Sequence, residues 1–358
     1  MWLVFTIITI LIWGLAEIFY KKGNSAKEKY SHLKTVIFVG FIMGIHAIFV
    51  LLFKDINFDP KNILIYLPVS LCYMISMTCS YFGVKYIQES ISDPIENTSG
   101  AIVPVLCAVF LHETIQSWSI VAIVVIVIGI IGVGILENRG STDRKKVLGK
   151  KLAVFAFAMP FCYALLDALG TFLDIFYIDD WTDTLLVNVT EDTIENVANT
   201  CYELTFLFLA IVFLVFIAIK KVKLFSNGEE VDKKLNTLNT YKDRTIDYNE
   251  NNSVSKVSCE NTESNLELEI TKNHGFIKTV LNQKYKIMAA VCETIGQFTY
   301  VFALAGNGKI ASPMIGGGCV VVSLLLSRVF LKEKLTKLQY LFICIVLIGI
   351  IILAIVEE

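Results

Sequence analysis

Residues 92–137, SDPIENTSGAIVPVLCAVFLHETIQSWSIVAIVVIVIGIIGVGILE, return near the end of the chain. Sliding the sequence by 220 positions lays 91–137 on 311–357 without a gap, and fourteen positions coincide. Half of the matches are Ile or Val, which any two apolar helices share. The informative ones punctuate the pattern: Ser92 against Ser312 at the head of an apolar run, Glu113 against Glu333 where that run ends, and Gly129 against Gly349 midway through the next. Each copy reads as two apolar helices joined by a turn at the Glu, Leu111-His112-Glu113 in one and Leu331-Lys332-Glu333 in the other. The same shift carries Tyr81-Phe82-Gly83 onto Val301-Phe302-Ala303, so a third helix is related as well. Self-similarity on this scale marks a duplicated fold.

Composition says where the duplicated unit sits. Apolar residues make up 55% of the 358, charged residues 18%, and the mean hydropathy is +0.64, which describes an integral membrane protein and not a water-soluble domain. The net charge of −2 and the absence of a basic stripe with interleaved aromatics exclude a nucleic-acid partner. A bilayer core of about 30 Å takes ~20 apolar residues per helix. Ten runs meet that length within a few residues: 2–20, 35–53, 63–84, 94–111, 117–136, 152–178, 200–219, 286–304, 310–331 and 338–356. The fold class is therefore all-α, ten transmembrane helices in two halves of five. Five is odd, so the second half enters the membrane from the opposite side and the repeat is inverted. Such repeats recur in secondary transporters, with the substrate site between the halves near the midplane. The first half spans 1–137 and the second 138–219 with 285–358. Between them, 220–284 is a hydrophilic insert rich in Asn, Ser, Thr, Lys and Glu that reads as disordered. The run at 2–20 has no basic segment before it and no small-residue cleavage site after it, so it reads as a retained helix.

Charge in the short connections predicts orientation. Fifteen Lys and Arg fall on the side of residues 21–34, 85, 139–151 and 332–337, against Lys54, Lys61 and Lys309 on the other. The bias places both termini outside the cytoplasm and the insert within it. Between Leu152 and Ile219 no Lys or Arg occurs, while six acids crowd 179–199, where Asp192 and Glu195 have N-cap spacing for the seventh helix.

Several patterns carry chemistry. Asp93-Pro94 and Ser312-Pro313 read as helix starts, a cap followed by Pro at the first helical position. The polar run Glu96-Asn97-Thr98-Ser99-Gly100 is costly against lipid, and with Gly316-Gly317-Gly318 opposite it reads as the wall of a water-filled cavity. Gly129, Gly132 and Gly349 allow close helix packing, within the chain or between two copies in a homodimer. The nine cysteines are scattered without metal-binding spacing, and no metal or cofactor is expected. Asp179-Asp180-Trp181-Thr182-Asp183 has the spacing of a diphosphate and Mg²⁺ site but lacks the second aspartate cluster such sites need.

Ionisable residues inside apolar runs are the sharpest signal, because each is expensive in hydrocarbon and persists mainly where it pairs or faces a pathway. Glu17, His46, Asp167, Asp174, Glu293 and Arg328 are of this kind. A shift of 150 lays Trp13-Gly14-Leu15-Ala16-Glu17 on Tyr163-Ala164-Leu165-Leu166-Asp167, making Glu17 and Asp167 symmetry mates. Gln297 lies one turn beyond Glu293 on the same face. Buried acids of this sort can exchange a proton for a cationic or amine-bearing substrate. Alternatively they pair with Arg328, His46 or backbone donors and only hold helices together.

The chain resembles the EamA-like ten-helix members of the drug/metabolite transporter superfamily. The resemblance is carried by Trp13-Gly14 with Lys21-Lys22, by the marked starts of the fourth and ninth helices, and by the two Leu-x-Glu turns at Glu113 and Glu333 with the Gly-centred helices after them. It covers 1–219 and 285–358. Members of that family move small solutes such as amino acids, cations or sugar phosphates through a cavity lined by both halves. The resemblance implies a multi-pass cell-membrane transporter of a small polar metabolite, not an enzyme; the reading of buried polar residues above makes Glu17, Asp167, Glu293, Gln297, Glu96 and Asn97 the candidates for its substrate or coupling ion. The family is usually drawn with both termini in the cytoplasm, opposite to the charge bias here. Two rival functions are a membrane-embedded transferase using Asp179–Asp183 and a non-transporting scaffold that recruits proteins through its insert.

Overall fold

The computed structural model describes residues 1–24, 30–86, 89–139, 150–179, 182–222, 224–225, 283–330 and 335–357. Most of the insert, the loop 140–149, Asp180-Trp181 and the second turn at Glu333 lie outside the described residues. Among the described residues every regular element is helical: α1 (Trp2–Gly23), α2 (Ser31–Phe53), α3 (Lys61–Ile65), α4 (Leu67–Tyr86), α5 (Glu89–Glu96), α6 (Ser99–Leu106), a π-helical turn (Cys107–Leu111), α7 (Ser117–Arg139), α8 (Lys150–Ile178), α9 (Ile194–Ile219), α10 (Lys284–Phe330) and α11 (Lys337–Val356). Eight stretches among them are long and apolar enough to cross a membrane, where the sequence pattern predicts ten.

The difference has two sources. The expected run at 63–84 is split between α3 and α4 around Tyr66, and α4 carries Ser70, Ser76, Thr78 and Ser80, which lower its hydropathy. The runs 286–304 and 310–331 join in α10, whose 47 residues are interrupted by extended backbone at Asn307 (φ −165°, ψ 69°). A straight helix of that length would reach roughly 70 Å, more than twice a bilayer core. It is not straight. Along α1, Trp2 meets Gly306, Thr9 bonds Thr299 at 2.7 Å and Gly23 meets Lys286, while Ile10 meets Gly318, Gly14 meets Val322 and Lys21 donates to Ser327 at 3.3 Å. One face of α1 follows 286–306 and another follows 318–327 in the opposite direction, so α10 doubles back at Asn307 and grips α1 between its halves.

The other helices pair off. α2 packs on α9, α4 on α8, and α7 on α11. On α7 the heptad-spaced Val121, Val124, Ile128, Ile131 and Ile135 are about half exposed, whereas Ala122, Ile126, Ile130 and Val133 are buried. The first set faces where lipid would lie, and the second faces α11. In hydrocarbon nothing drives two apolar helices together except packing, so small residues at the contact decide it. A Cβ on Gly129 would sit 2.4 Å from Val346, and one on Gly349 would sit 2.6 Å from Ile126. Each glycine meets the side chain three residues before the other, a reciprocal contact. Gly132 lies under the Phe342 ring of the same interface. All three candidate packing glycines are thus occupied within the chain.

The turns follow local chemistry. After α2, Asn57 takes a left-handed conformation (φ 41°) and the Asp59 carboxylate accepts from the Lys61 amide at 2.9 Å. At the end of the π-helical turn His112 is left-handed (φ 56°), which makes the bend at Leu111-His112-Glu113, and Glu113 pairs with Lys309 at 2.8 Å. The acidic connection is tied down by Asn62, whose amide both donates to Val187 O (2.9 Å) and accepts from Val187 N (2.8 Å).

Three expected helix starts fall elsewhere. Pro94 lies inside α5 and the break comes after it, at Asn97-Thr98; Pro313 lies inside the second half of α10. Each proline leaves one carbonyl unbonded four residues back, which here falls in the helix's first turn, so the helix extends past the cap. At α9 the cap position is Thr193 and not Asp192, with Glu195 in the first turn.

Candidate functional site

Trp13 and Gly14 seat the first wall of the site. The Trp13 indole lies against Gly296, where a Cβ would be 2.3 Å away, and its ring sits 4.8 Å from that of Tyr300. Gly14 is pressed on Val322 of the other half of α10. The pair wedges α1 into the α10 hairpin at this level and sets the rotation of the turns that follow. One turn on, Glu17 lines a cavity; Tyr20, three residues further, lines it too.

That cavity encloses about 760 Å³ free of protein atoms, its open mouth included. Glu17 enters it from α1, Glu96 and Asn97 from the end of α5 and the break after it, Asp167 from α8, and Glu293 and Gln297 from α10. All six residues proposed from the sequence therefore line one space, three from residues 1–137 and three from 138–358. None of its fifteen lining residues is Lys, Arg or His.

The acids are held by hydroxyls. Tyr20 donates to Glu293 Oε2 at 2.9 Å and its hydroxyl is 2.8 Å from that of Tyr81. Ser92 and Ser80 donate to the two oxygens of Glu96 at 2.6 and 2.7 Å. Ser99 donates to Asp167 Oδ2 at 2.8 Å, and Asn97 bonds back to the Asp93 carbonyl at 2.8 Å. The expected alternative partners are engaged elsewhere: His46 Nδ1 is 2.8 Å from Glu203, and Arg328 stacks over Tyr340 at 5.3 Å. One buried donor at the cavity wall, Gln297 Nε2, makes no hydrogen bond. Where α6 passes α10, Gly100 approaches the Ser312 carbonyl and Gly316 the Asn97 carbonyl so closely that a Cβ would be 2.5 and 2.7 Å away.

Sequence reasoning missed the aromatic share of the wall. Trp13, Tyr20, Tyr73, Tyr81, Tyr163 and Tyr202 all face the cavity. In an apolar helix a Tyr reads as membrane-interface or core, and only the convergence of four helices shows otherwise. It also missed Glu203, fully buried at the α2–α9 contact with His46. Asp174 lies outside the cavity. It accepts from Tyr66, its Oδ2 is 3.3 Å from the Tyr73 hydroxyl, and the chain continues through Thr171 to Tyr300 (3.2 and 2.6 Å). Asp179 and Asp183 stand at and beyond the end of α8, away from the cavity.

The EamA-like transporter family matches over residues 1–135, from α1 through most of α7. No curated protein matches the sequence. Among solved structures 28 chains match in fold. One, described only as a crystal structure of a protein, superposes with a TM-score of 0.57 at 10% identity, covering 99% of this chain and 96% of its own. At that identity the likeness is one of fold alone, and it extends over nearly the whole of both chains. The protein is thus a multi-pass membrane protein, EamA-like over its first 135 residues.

Proposed function

We propose that the protein is a secondary transporter that moves a small polar metabolite across the cell membrane by alternating access. Its ten spans form two inverted five-helix halves, with α10 counted as two spans and α3–α4 as one. The observation that carries the reading is the single cavity into which α1, α5, α8 and α10 send four carboxylates and two amides. Each acid left in hydrocarbon would cost several kcal/mol, and a water-filled substrate path removes that cost. The inverted arrangement draws support from the pairing of helices: α1 lies between the halves of α10 as α8 lies against α4, α5 and α6, and the α7–α11 glycine contact is reciprocal. Alternating access then consists of rocking one half against the other about the cavity.

Glu293, Asp167 and Glu17 carry the coupling. A carboxylate that binds either a proton or a cationic group can hold one only by releasing the other, which ties the two fluxes together. Comparing metabolites in cells that lack the protein with those in cells that overproduce it identifies the solute. Transport of that solute by Glu293→Gln and Asp167→Asn is then expected to be lost, or to lose its pH dependence, with expression and detergent-extracted stability near normal. Wild-type rates with an unchanged pH profile in both variants refute the coupling role. Failure of both to fold assigns the acids to structure instead.

A further inference from the structure

The chemistry of the cavity wall narrows the substrate further, and the argument rests on the transporter reading above. Three carboxylates, Glu96, Asp167 and Glu293, share with Glu17 a space that, among the described residues, no Lys, Arg or His lines. The hydrogen bonds to Glu96, Asp167 and Glu293 come from Ser and Tyr hydroxyls and the Trp13 indole, neutral donors that orient a carboxylate without neutralising it. A phosphate, a carboxylic acid or any other anion would meet the like charge of these acids with no cationic side chain to offset it, and is disfavoured. The missing positive charge is what the wall lacks, and a bound solute can supply it.

A compact metal ion does not fit. Such an ion draws three or more ligands into one shell within about 2.6 Å of itself, and among the described residues no group of three His, Cys, Asp or Glu side chains is close enough to do so. The acids are spread around the space, not gathered at one point. A dispersed negative wall suits a diffuse charge carried on an organic frame. The aromatic faces point the same way: Trp13, Tyr20, Tyr73, Tyr81 and Tyr202 stand between the acids, and ring faces attract ammonium and guanidinium groups.

A second, independent feature concerns the other end of the solute. Gln297 is 4% exposed, lines the cavity, and its Nε2 has no hydrogen-bond partner. Buried donors are nearly always satisfied. It belongs to the wall that also presents Glu293, one helical turn away. It asks for an acceptor on whatever occupies the space.

We infer that the cavity takes a small organic cation, an amine, guanidinium or quaternary ammonium compound, that also carries a hydrogen-bond acceptor. The charged end lies among the carboxylates and rings, and the acceptor, a hydroxyl or carbonyl oxygen, lies on Gln297 Nε2. A net positive charge is required, because an equal number of negative groups on the solute would find no counter-charge.

The test uses the full-length chain purified in detergent, with its melting point followed by a thiol-reactive dye that labels the buried cysteines on unfolding. Choline and arginine are expected to raise the melting point at millimolar concentration, and glutamate, inorganic phosphate and glucose to leave it unchanged. Tetramethylammonium, which has the charge but no acceptor, should bind more weakly than choline, and Gln297→Ala should abolish that difference. Glu293→Gln and Asp167→Asn, each checked for a wild-type melting point without ligand, should weaken half-saturation by choline at least about tenfold. A shift with glutamate or phosphate overturns the inference, and so does the absence of a shift with both choline and arginine. The transporter reading is tested apart from it. If choline and arginine bind but proteoliposomes holding the chain take up neither above empty liposomes, the ligand class stands and transport falls. If the proteoliposomes carry glutamate or phosphate, transport stands and the ligand class falls.

Discussion

Gly100→Ala tests whether the site depends on backbone contact between α6 and the second half of α10. The added methyl carbon would sit 2.5 Å from Ser312 O, 3.0 Å from Ser312 C and 3.2 Å from the Pro313 Cα, all of them main-chain atoms that no rotamer change can remove. Ordinary contact begins at 3.4 Å, so the two segments must part by about 0.9 Å at this point. Gly316 against the Asn97 carbonyl, at 2.7 Å for a built Cβ, belongs to the same crossing and must shift as well. Forcing a methyl group into a packed contact costs roughly 1–3 kcal/mol, which for a chain of this size lowers the melting point by roughly 2–8 °C. Parting α6 from α10 also moves Glu96 and Asn97 away from Glu293 and Gln297, so ligand binding should fall along with stability. Gly83→Ala is the matched control. There the nearest atom to a built Cβ is the Met159 Cβ at 3.5 Å, which is ordinary contact, and Ala gains up to about 1 kcal/mol over Gly in a helix interior. Thermal melts of the two variants in one detergent decide the matter. The reasoning is refuted if Gly100→Ala melts at or above the wild type, or if Gly83→Ala falls as far as Gly100→Ala does.

Other outcomes follow from particular contacts. His46→Ala removes the ionisable partner of Glu203, which is fully buried at 2.8 Å from His46 Nδ1, and leaves the buried carboxyl with only the Asn199 side chain; a loss of roughly 3 kcal/mol is expected, recovered in large part by adding Glu203→Leu, and no recovery in the double variant sinks the pairing argument. Tyr20→Phe deletes the donor to Glu293 and the link to Tyr81; it should cost roughly 1–2 kcal/mol by thermal melting, and less once Glu293→Gln is already present, so equal losses in the two backgrounds mean the bond is not formed. The charge bias predicts that residues 139–151 and 225–280 face the cytoplasm. In a background without native thiols, an impermeant maleimide applied to intact cells should label a cysteine placed at Thr190 and spare one placed at Ser141, and equal labelling reverses the orientation.

Much of the architecture was legible in the sequence because hydrocarbon imposes a simple rule. With no water to satisfy the backbone, each crossing must be an apolar helix of near-fixed length, so run lengths and a 220-residue shift were enough to find the helices and the glycine seam where Gly129 and Gly349 meet the opposite helix. The six cavity residues were legible for the same reason: an acid or amide such as Glu293 or Gln297 is out of place in an apolar run unless it faces something polar. What the run pattern could not give was the three-dimensional partner of each group. Pro94 and Pro313 look like helix starts, because a sequence shows the missing N–H but not the preceding turn that tolerates it. Tyr20, Tyr73 and Tyr202 are indistinguishable from interface or core tyrosines until four helices bring them around one space. Glu203 went unnoticed as the partner of His46, since 157 residues separate two side chains that only the packing of α2 on α9 joins. Periodicity records which face of a helix avoids lipid, whereas partners, orphaned donors and the sign of the charge missing from a cavity exist only once the faces have met.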